Sequence, residues 1–213
     1  MNPYYQDDHI TLYHGDCLQH LDMLDQADVL ITDPPYGSGT MAKGYGRHGF
    51  TIQNDDTIEA RDTVLRVWRS KPAAVFGTPR LPEPPGGWKD RLVWDKREPG
   101  LNGGPWRYTH ESIFVRGEGW QRVSASSFSV LSYPSGNGTW EKQQHAHAKP
   151  VPLMEKLITA CPDSWTIIDP FAGSGSTLRA AKNLGRKCIG FEIEEKYCEI
   201  TAQRLAQETL GIF

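Results

Sequence analysis

Trp165-Thr166-Ile167-Ile168-Asp169-Pro170-Phe171-Ala172-Gly173-Ser174-Gly175-Ser176-Thr177 is an apolar, β-branched run that stops in Asp-Pro and passes two glycines into a segment of helical spacing. A strand ending in such a turn and feeding a helix is the unit from which open parallel sheets are wound. Its tight turn lets a nucleoside-like ligand approach the backbone. The rival readings fail on spelling. A phosphate-cradling loop ends in Gly-Lys-Ser/Thr, and Gly173-Ser174-Gly175-Ser176-Thr177 has no lysine. A dinucleotide fingerprint needs a third glycine where Leu178 stands. The next apolar run, Lys187–Phe191, ends in Glu192, and a carboxylate at a strand tip can accept from both hydroxyls of a ribose.

Outward from this unit the same rhythm recurs. Further short runs lie at His9–Tyr13, Asp28–Thr32, Ala73–Gly77, Arg91–Asp95 and Glu111–Val115, and helical spacing appears at Cys17–Leu24, Thr57–Ser70, Pro152–Ala160, Thr177–Leu184 and Glu195–Glu208. Strands alternating with helices predict an α/β fold, a doubly wound and mostly parallel seven-stranded sheet. Residues 78–147 break the rhythm with Pro and Gly and a Ser/Gly-rich run, so a loop-dominated insert is expected there. Trp88, Trp106, Trp120 and Trp140 are interspersed in it with Arg91, Arg97, Arg107, Arg116 and Arg122, a mixture suited to stacking on bases and contacting phosphates. The alternative is that these tryptophans pack loops onto the sheet. Residues 37–56, with Lys43, Arg47 and His48 among glycines, read as a lid or as an ordinary surface loop.

A second strand end carries chemistry of its own. Asp33-Pro34-Pro35-Tyr36 follows Val29-Leu30-Ile31-Thr32, and its two prolines fix φ and remove two backbone donors. The pocket it borders is expected to be all acceptor. Asp33 and the Pro34 carbonyl could then take both N–H groups of an exocyclic amine and turn the nitrogen lone pair toward an in-line electrophile. Tyr36 would stack on an extruded base. Alone, each turn is commonplace; the inference rests on their meeting at one sheet edge.

Composition sets bounds. At 213 residues the chain suits one domain with an embedded excursion, and a formal net charge of -3 leaves any nucleic-acid surface local rather than global. Cys17, Cys161, Cys188 and Cys198 form no Cys-x-x-Cys pair, so neither zinc nor a disulfide framework is expected. No apolar run approaches membrane-spanning length, and the N-terminal residues lack a signal pattern; a soluble, cytosolic protein with no membrane partner is expected.

Asp33-Pro34-Pro35-Tyr36 and Asp169-Pro170-Phe171-Ala172-Gly173-Ser174-Gly175 resemble the catalytic and S-adenosylmethionine motifs of DNA amino-methyltransferases, in the order of the beta group, a permutation of the Rossmann-like methyltransferase fold. The resemblance extends to His14-Gly15-Asp16-Cys17, Val93-Trp94-Asp95-Lys96, His110-Glu111-Ser112-Ile113, His147-Ala148-Lys149-Pro150 and Gly190-Phe191-Glu192-Ile193. It implies S-adenosylmethionine as cofactor, held by Asp16, Asp33, Lys149, Asp169, Phe171, Ala172, Gly173, Ser174, Gly175, Thr177 and Glu192. It implies Asp33, Pro34, Pro35 and Tyr36 as the catalytic set, with no metal. Residues 1–115 would form the catalytic half, 116–144 a short target-recognition insert and 145–213 the cofactor half. The usual His-Pro-x-x-Lys-Pro segment lacks its first proline here, where His145 and His147 precede Lys149-Pro150.

The implied activity is methylation of the N6 amino group of a flipped adenine in double-stranded DNA, in the cytoplasm of a bacterial or phage-infected cell. Asp at the first catalytic position favours adenine in this family, and the lack of a Pro-Cys dipeptide removes carbon-five cytosine methylation. The alternatives are an N4-cytosine methyltransferase, a non-catalytic nucleic-acid-binding module, or RNA as substrate. So short a reader implies a short site, weak binding or help from a second subunit, which makes a homodimer one expected state.

Overall fold

The structure, a computed structural model, describes residues 1–37, 57–97, 106, 108–123, 128–135 and 148–207. Among them nine strands form one sheet: β1 (Tyr5–Gln6), β2 (Ile10–His14), β3 (Val29–Thr32), β4 (Ala73–Gly77), β5 (Asp90–Asp95), β6 (His110–Arg116), β7 (Val130–Ser132), β8 (Ile167–Asp169) and β9 (Cys188–Glu192). Their order is β1-β2-β9-β8-β3-β4-β6-β5-β7. From β2 to β4 every pairing is parallel; β6 runs antiparallel between β4 and β5, and β7 lies parallel to β5. All seven expected strands are present. The count of seven is corrected by β1 and β7, edge strands of two and three residues, too short to carry a period. β7 also gives the insert region a piece of regular structure where loop was expected.

Both faces of the sheet are covered, as near-continuous apolar strands require. Val29 and Ile31 of β3 point to one face, where α2 (Val151–Thr159), α3 (Ser176–Asn183) and α4 (Glu195–Ala206) contribute Leu153, Leu157, Leu178, Ala181, Cys198 and Leu205. Leu30 points to the other, against Val64, Leu65 and Trp68 of α1 (Glu59–Trp68) together with Cys17 and Leu24. The helix expected over Cys17–Leu24 is instead two 3-10 turns, Cys17–Gln19 and Leu21–Gln26, interrupted at His20 with φ -137°. The four cysteines are free and buried. Burial pushes the thiols of Cys17, Cys161 and Cys198 up to about 12 and that of Cys188 well above its ordinary value.

Candidate active site

β3 and β8 are parallel neighbours in the register Val29↔Ile167 and Leu30↔Ile168, so the turns that follow them emerge side by side at one edge. A buried hydrogen bond ties them: Thr32 Oγ1 donates to Asp169 Oδ1 at 2.7 Å. The same carboxylate accepts from Thr177 Oγ1 at 2.5 Å and from Phe171 N at 3.1 Å. Asp169 is 2% exposed, and burial outweighs these donors and pushes its carboxyl up to about 6. Asp169 and Thr177, expected to hold the cofactor, therefore face into the turn and fix its shape. Ala172 and Ser174 are buried as well, whereas Phe171 is half-buried.

Gly175 is forced by what lies behind it. Gly175 has φ +77°, and a Cβ on it would come within 2.5 Å of Thr201 Cγ2. α4 braces the loop: Thr201 Oγ1 donates to the Gly173 carbonyl at 3.1 Å and Arg204 Nη1 to the Ser174 carbonyl at 3.1 Å.

Glu192 closes the adjoining strand. Its Oε2 accepts from Gly173 N at 2.7 Å and its Oε1 from Glu194 N at 2.8 Å. Burial pushes its carboxyl up to about 7 despite those two donors. β2 ends level with it, His14 opposite Glu192, and Gly15 N donates to the Glu192 carbonyl at 2.8 Å, which brings Asp16 to the same rim. Asp16 Oδ1 accepts from Leu18 N at 2.9 Å. A carboxylate has about four acceptor positions, and Glu192 uses two on the backbone. The remaining capacity, beside a glycine turn and Phe171, fits a nucleoside with a free diol.

Beside the other turn lies a charged cluster. The Asp33 carboxylate accepts from Tyr36 Oη at 2.5 Å on Oδ1 and pairs through Oδ2 with Lys149 Nζ. Lys149 is 6% exposed, lies 3.4 Å from Glu111 Oε2, and sits within 5.2 to 5.8 Å of the ring centroids of Phe76, Trp94 and Tyr36. Glu111 Oε1 also takes Lys96 Nζ at 2.5 Å, and Tyr36 Oη reaches Glu111 Oε2 at 3.4 Å. Burial by itself would lower the Lys149 pKa; the carboxylates of Asp33 and Glu111 overcome it and raise it. Burial would raise Glu111, but Lys149 and Lys96 hold it below its ordinary value. Burial and the two carboxylates push the Tyr36 hydroxyl well above its usual range, so it stays a donor.

The all-acceptor expectation is thereby corrected. An ammonium and a phenol share the Asp33 carboxylate, and Lys149, expected together with Asp33 at the cofactor, pairs with it. Glu111 and Lys96 were absent from the expected site, although both fall within the quoted family-like segments Val93–Lys96 and His110–Ile113. Charged residues recur along both strands, Asp90, Arg91 and Asp95 in β5 and Arg116 in β6, so no local signal singled out Lys96 or Glu111. Of the interspersed aromatics, Trp88 donates to the Pro84 carbonyl at 2.7 Å and Trp120 to the Arg116 carbonyl at 2.9 Å, so both hold loops down, while Trp106 is 82% exposed. Arg91 pairs with Glu83. The lid residues 38–56, with Lys43, Arg47 and His48, and also Arg107, Trp140, His145 and His147, lie outside the described residues.

A family model described as DNA methylase matches residues 88–203. The type II methyltransferase M.ScaI of Streptomyces caespitosus is 26% identical over 99% of this chain and 86% of its own length. A provisionally named methylase, YubD of Escherichia coli (strain K12), is 31% identical over 90% of this chain and 88% of its own. Among solved structures, an M1.HpyAVI–SAM complex superposes with TM-score 0.68 at 23% identity, covering 93% of this chain and 100% of that one. The cytosine-N4-specific PvuII DNA methyltransferase superposes with TM-score 0.66 at 16% identity, covering 98% and 90%. These two likenesses concern the fold.

Proposed function

The chain belongs to the DNA methylase family, and on that premise we propose that it methylates the N6 amino group of an adenine flipped out of double-stranded DNA, with S-adenosylmethionine as donor. The observation that carries the reading is the Thr32–Asp169 clasp, which holds the Asp33 turn and the Gly173–Gly175 turn at one edge of the sheet. S-adenosylmethionine bound there supplies an electrophilic sulfonium methyl group. Glu192 and Asp16 are the acceptors for its nucleoside hydroxyls and base, Phe171 packs on it, and Gly173 and Gly175 let it approach the backbone. Asp169, Thr177, Ala172 and Ser174 give that turn its shape.

Asp33 does the chemical positioning. Before the base enters, Tyr36 Oη and Lys149 Nζ satisfy its two oxygens. The incoming amino group replaces the phenol on Oδ1, donating one N–H to Asp33 and the other to the Pro34 carbonyl, and this aims the nitrogen lone pair at the cofactor side. Released from Asp33, Tyr36 lays its ring on the base. As the nitrogen gains the methyl group and the sulfonium would depart as a neutral thioether, the surplus proton would pass along its N–H to the Asp33 carboxylate, whose charge Lys149, held by Glu111, balances until then. Residues 116–144 are the proposed reader of the flanking sequence. A second copy of the chain as partner is testable by sedimentation with and without duplex.

Mass analysis of nucleosides from DNA of an expressing host tests the base. N6-methyladenine is expected, and N4-methylcytosine in its place would overturn the adenine assignment.

A further inference from the structure

A cavity of about 560 Å³ opens at the sheet edge remote from the catalytic turns, lined among others by Arg66, Arg69, Gly86, Lys89, Arg116 and Glu118. In the pairing of β4 with β6, Ala73 faces Arg116 at this end and Gly77 faces Ser112 at the catalytic end, a separation of roughly 13 Å at the usual rise per residue. The cavity shares no residue with the active site.

Arg116 sets its character. It is 5% exposed, its Nη2 donates to the Leu65 carbonyl at 3.3 Å, and its guanidinium carbon lies 4.8 Å from the centroid of the Trp88 ring. Nη1 rests against Gly86, where a side chain would collide with it. Nε is buried without a hydrogen-bond partner. An unsatisfied donor on a buried cation is destabilising, which marks the position as incomplete. Burial alone lowers the Arg116 pKa, with no acid opposing it.

The bland account is that these cations complement the carboxyl end of α1. Magnitudes decide against it. A helix end carries about half a negative charge. Lys89 pairs with Glu118, while among the described residues no carboxylate lies within 4 Å of Arg66, Arg69 or Arg116. Three guanidinium groups therefore face a small compensating charge, and planar guanidinium forks match the oxygens of a phosphate in bidentate fashion. We infer that this cavity binds a phosphate group, presented by a free phosphate ester or by the backbone of nucleic acid beyond the reacting edge.

The test follows the Arg116 Nε–Hε resonance of the full chain as inorganic phosphate is added at constant ionic strength, with Arg116→Lys assigning the signal. A saturable shift is expected, at least tenfold weaker in an Arg66→Ala/Arg69→Ala variant, whose exposed positions leave folding intact. The same variant is then titrated with a duplex across a salt series. A reduced slope of log affinity against log salt, by about one per lost contact, identifies the backbone as the source; an unchanged slope with weakened phosphate binding identifies a free ester. Should the resonance not move, or move equally in the double variant, the assignment is overturned. If Arg116→Lys fails to fold, the lone buried Nε–Hε signal that responds in wild type and not in the double variant serves the same purpose.

Discussion

β3 and β8 both run out through Asp-Pro into turns that lie side by side on one edge, and the two carboxylates are used in opposite ways. Asp169 is 2% exposed and surrounded by neutral donors: two threonine hydroxyls and one backbone amide. The Asp33 side chain is 24% exposed and paired with an ammonium that itself answers to a second carboxylate. A buried carboxylate among neutral donors holds a shape, whereas a partly open one with a charged counterpart can exchange partners with a ligand. On the proposed function, the difference between a shape-holding and a reactive aspartate is set by what arrives from across the fold.

Removing each of the two carboxylates in turn is the most direct way to break this contrast. Asp33→Ala should lower the rate of radiolabelled methyl transfer by roughly a thousandfold or more, in the range seen for loss of a transition-state contact, with calorimetric binding of S-adenosylmethionine within about threefold. Near-normal turnover would remove Asp33 from the chemistry. Asp169→Ala should act on stability instead, on the order of 2–3 kcal/mol by denaturant unfolding, because it strands the buried donors that converge on it. A variant as stable as wild type would mean the clasp does not hold the edge.

Glu192 sharpens the contrast from the cofactor side. Its carboxyl, raised to about 7 by burial, is partly protonated near neutrality, and only the ionised form has full acceptor capacity for a diol. Affinity for S-adenosylmethionine should therefore rise about tenfold between pH 6 and pH 8, and Glu192→Gln should flatten that dependence. For folding the sign is reversed. A raised carboxyl favours the protonated native state, so the ionisation of Glu192 erodes stability as pH climbs from the ordinary carboxylate range through about 7. The smallest effect belongs to Tyr36→Phe. If the ring does the work by stacking, the rate should stay within about threefold, while Tyr36→Ala should lose roughly ten- to a hundredfold. A large loss in Tyr36→Phe would move the function to the hydroxyl.

What could be read from the sequence followed from locality. The apolar runs and the spelling of the glycine turn lie within a few residues, and they located the seven central strands, the two strand-end turns and Glu192. The Lys149–Asp33 pair spans 116 positions and leaves no local trace, so the pocket was read as purely accepting. Glu111 and Lys96 announce themselves only once the antiparallel pairing sets Trp94 opposite Glu111. β1 and β7 exist because their neighbours offer open ladders, which no property of Tyr5–Gln6 or Val130–Ser132 alone could reveal.

The four interior thiols give the molecule a built-in clock. At neutral pH almost none of their sulfur is anionic, so alkylating reagents should pass the native protein by. Cys17 sits on one side of the sheet, Cys161, Cys188 and Cys198 on the other. The order in which they become labelled under mild destabilisation would report which layer of helices peels away first.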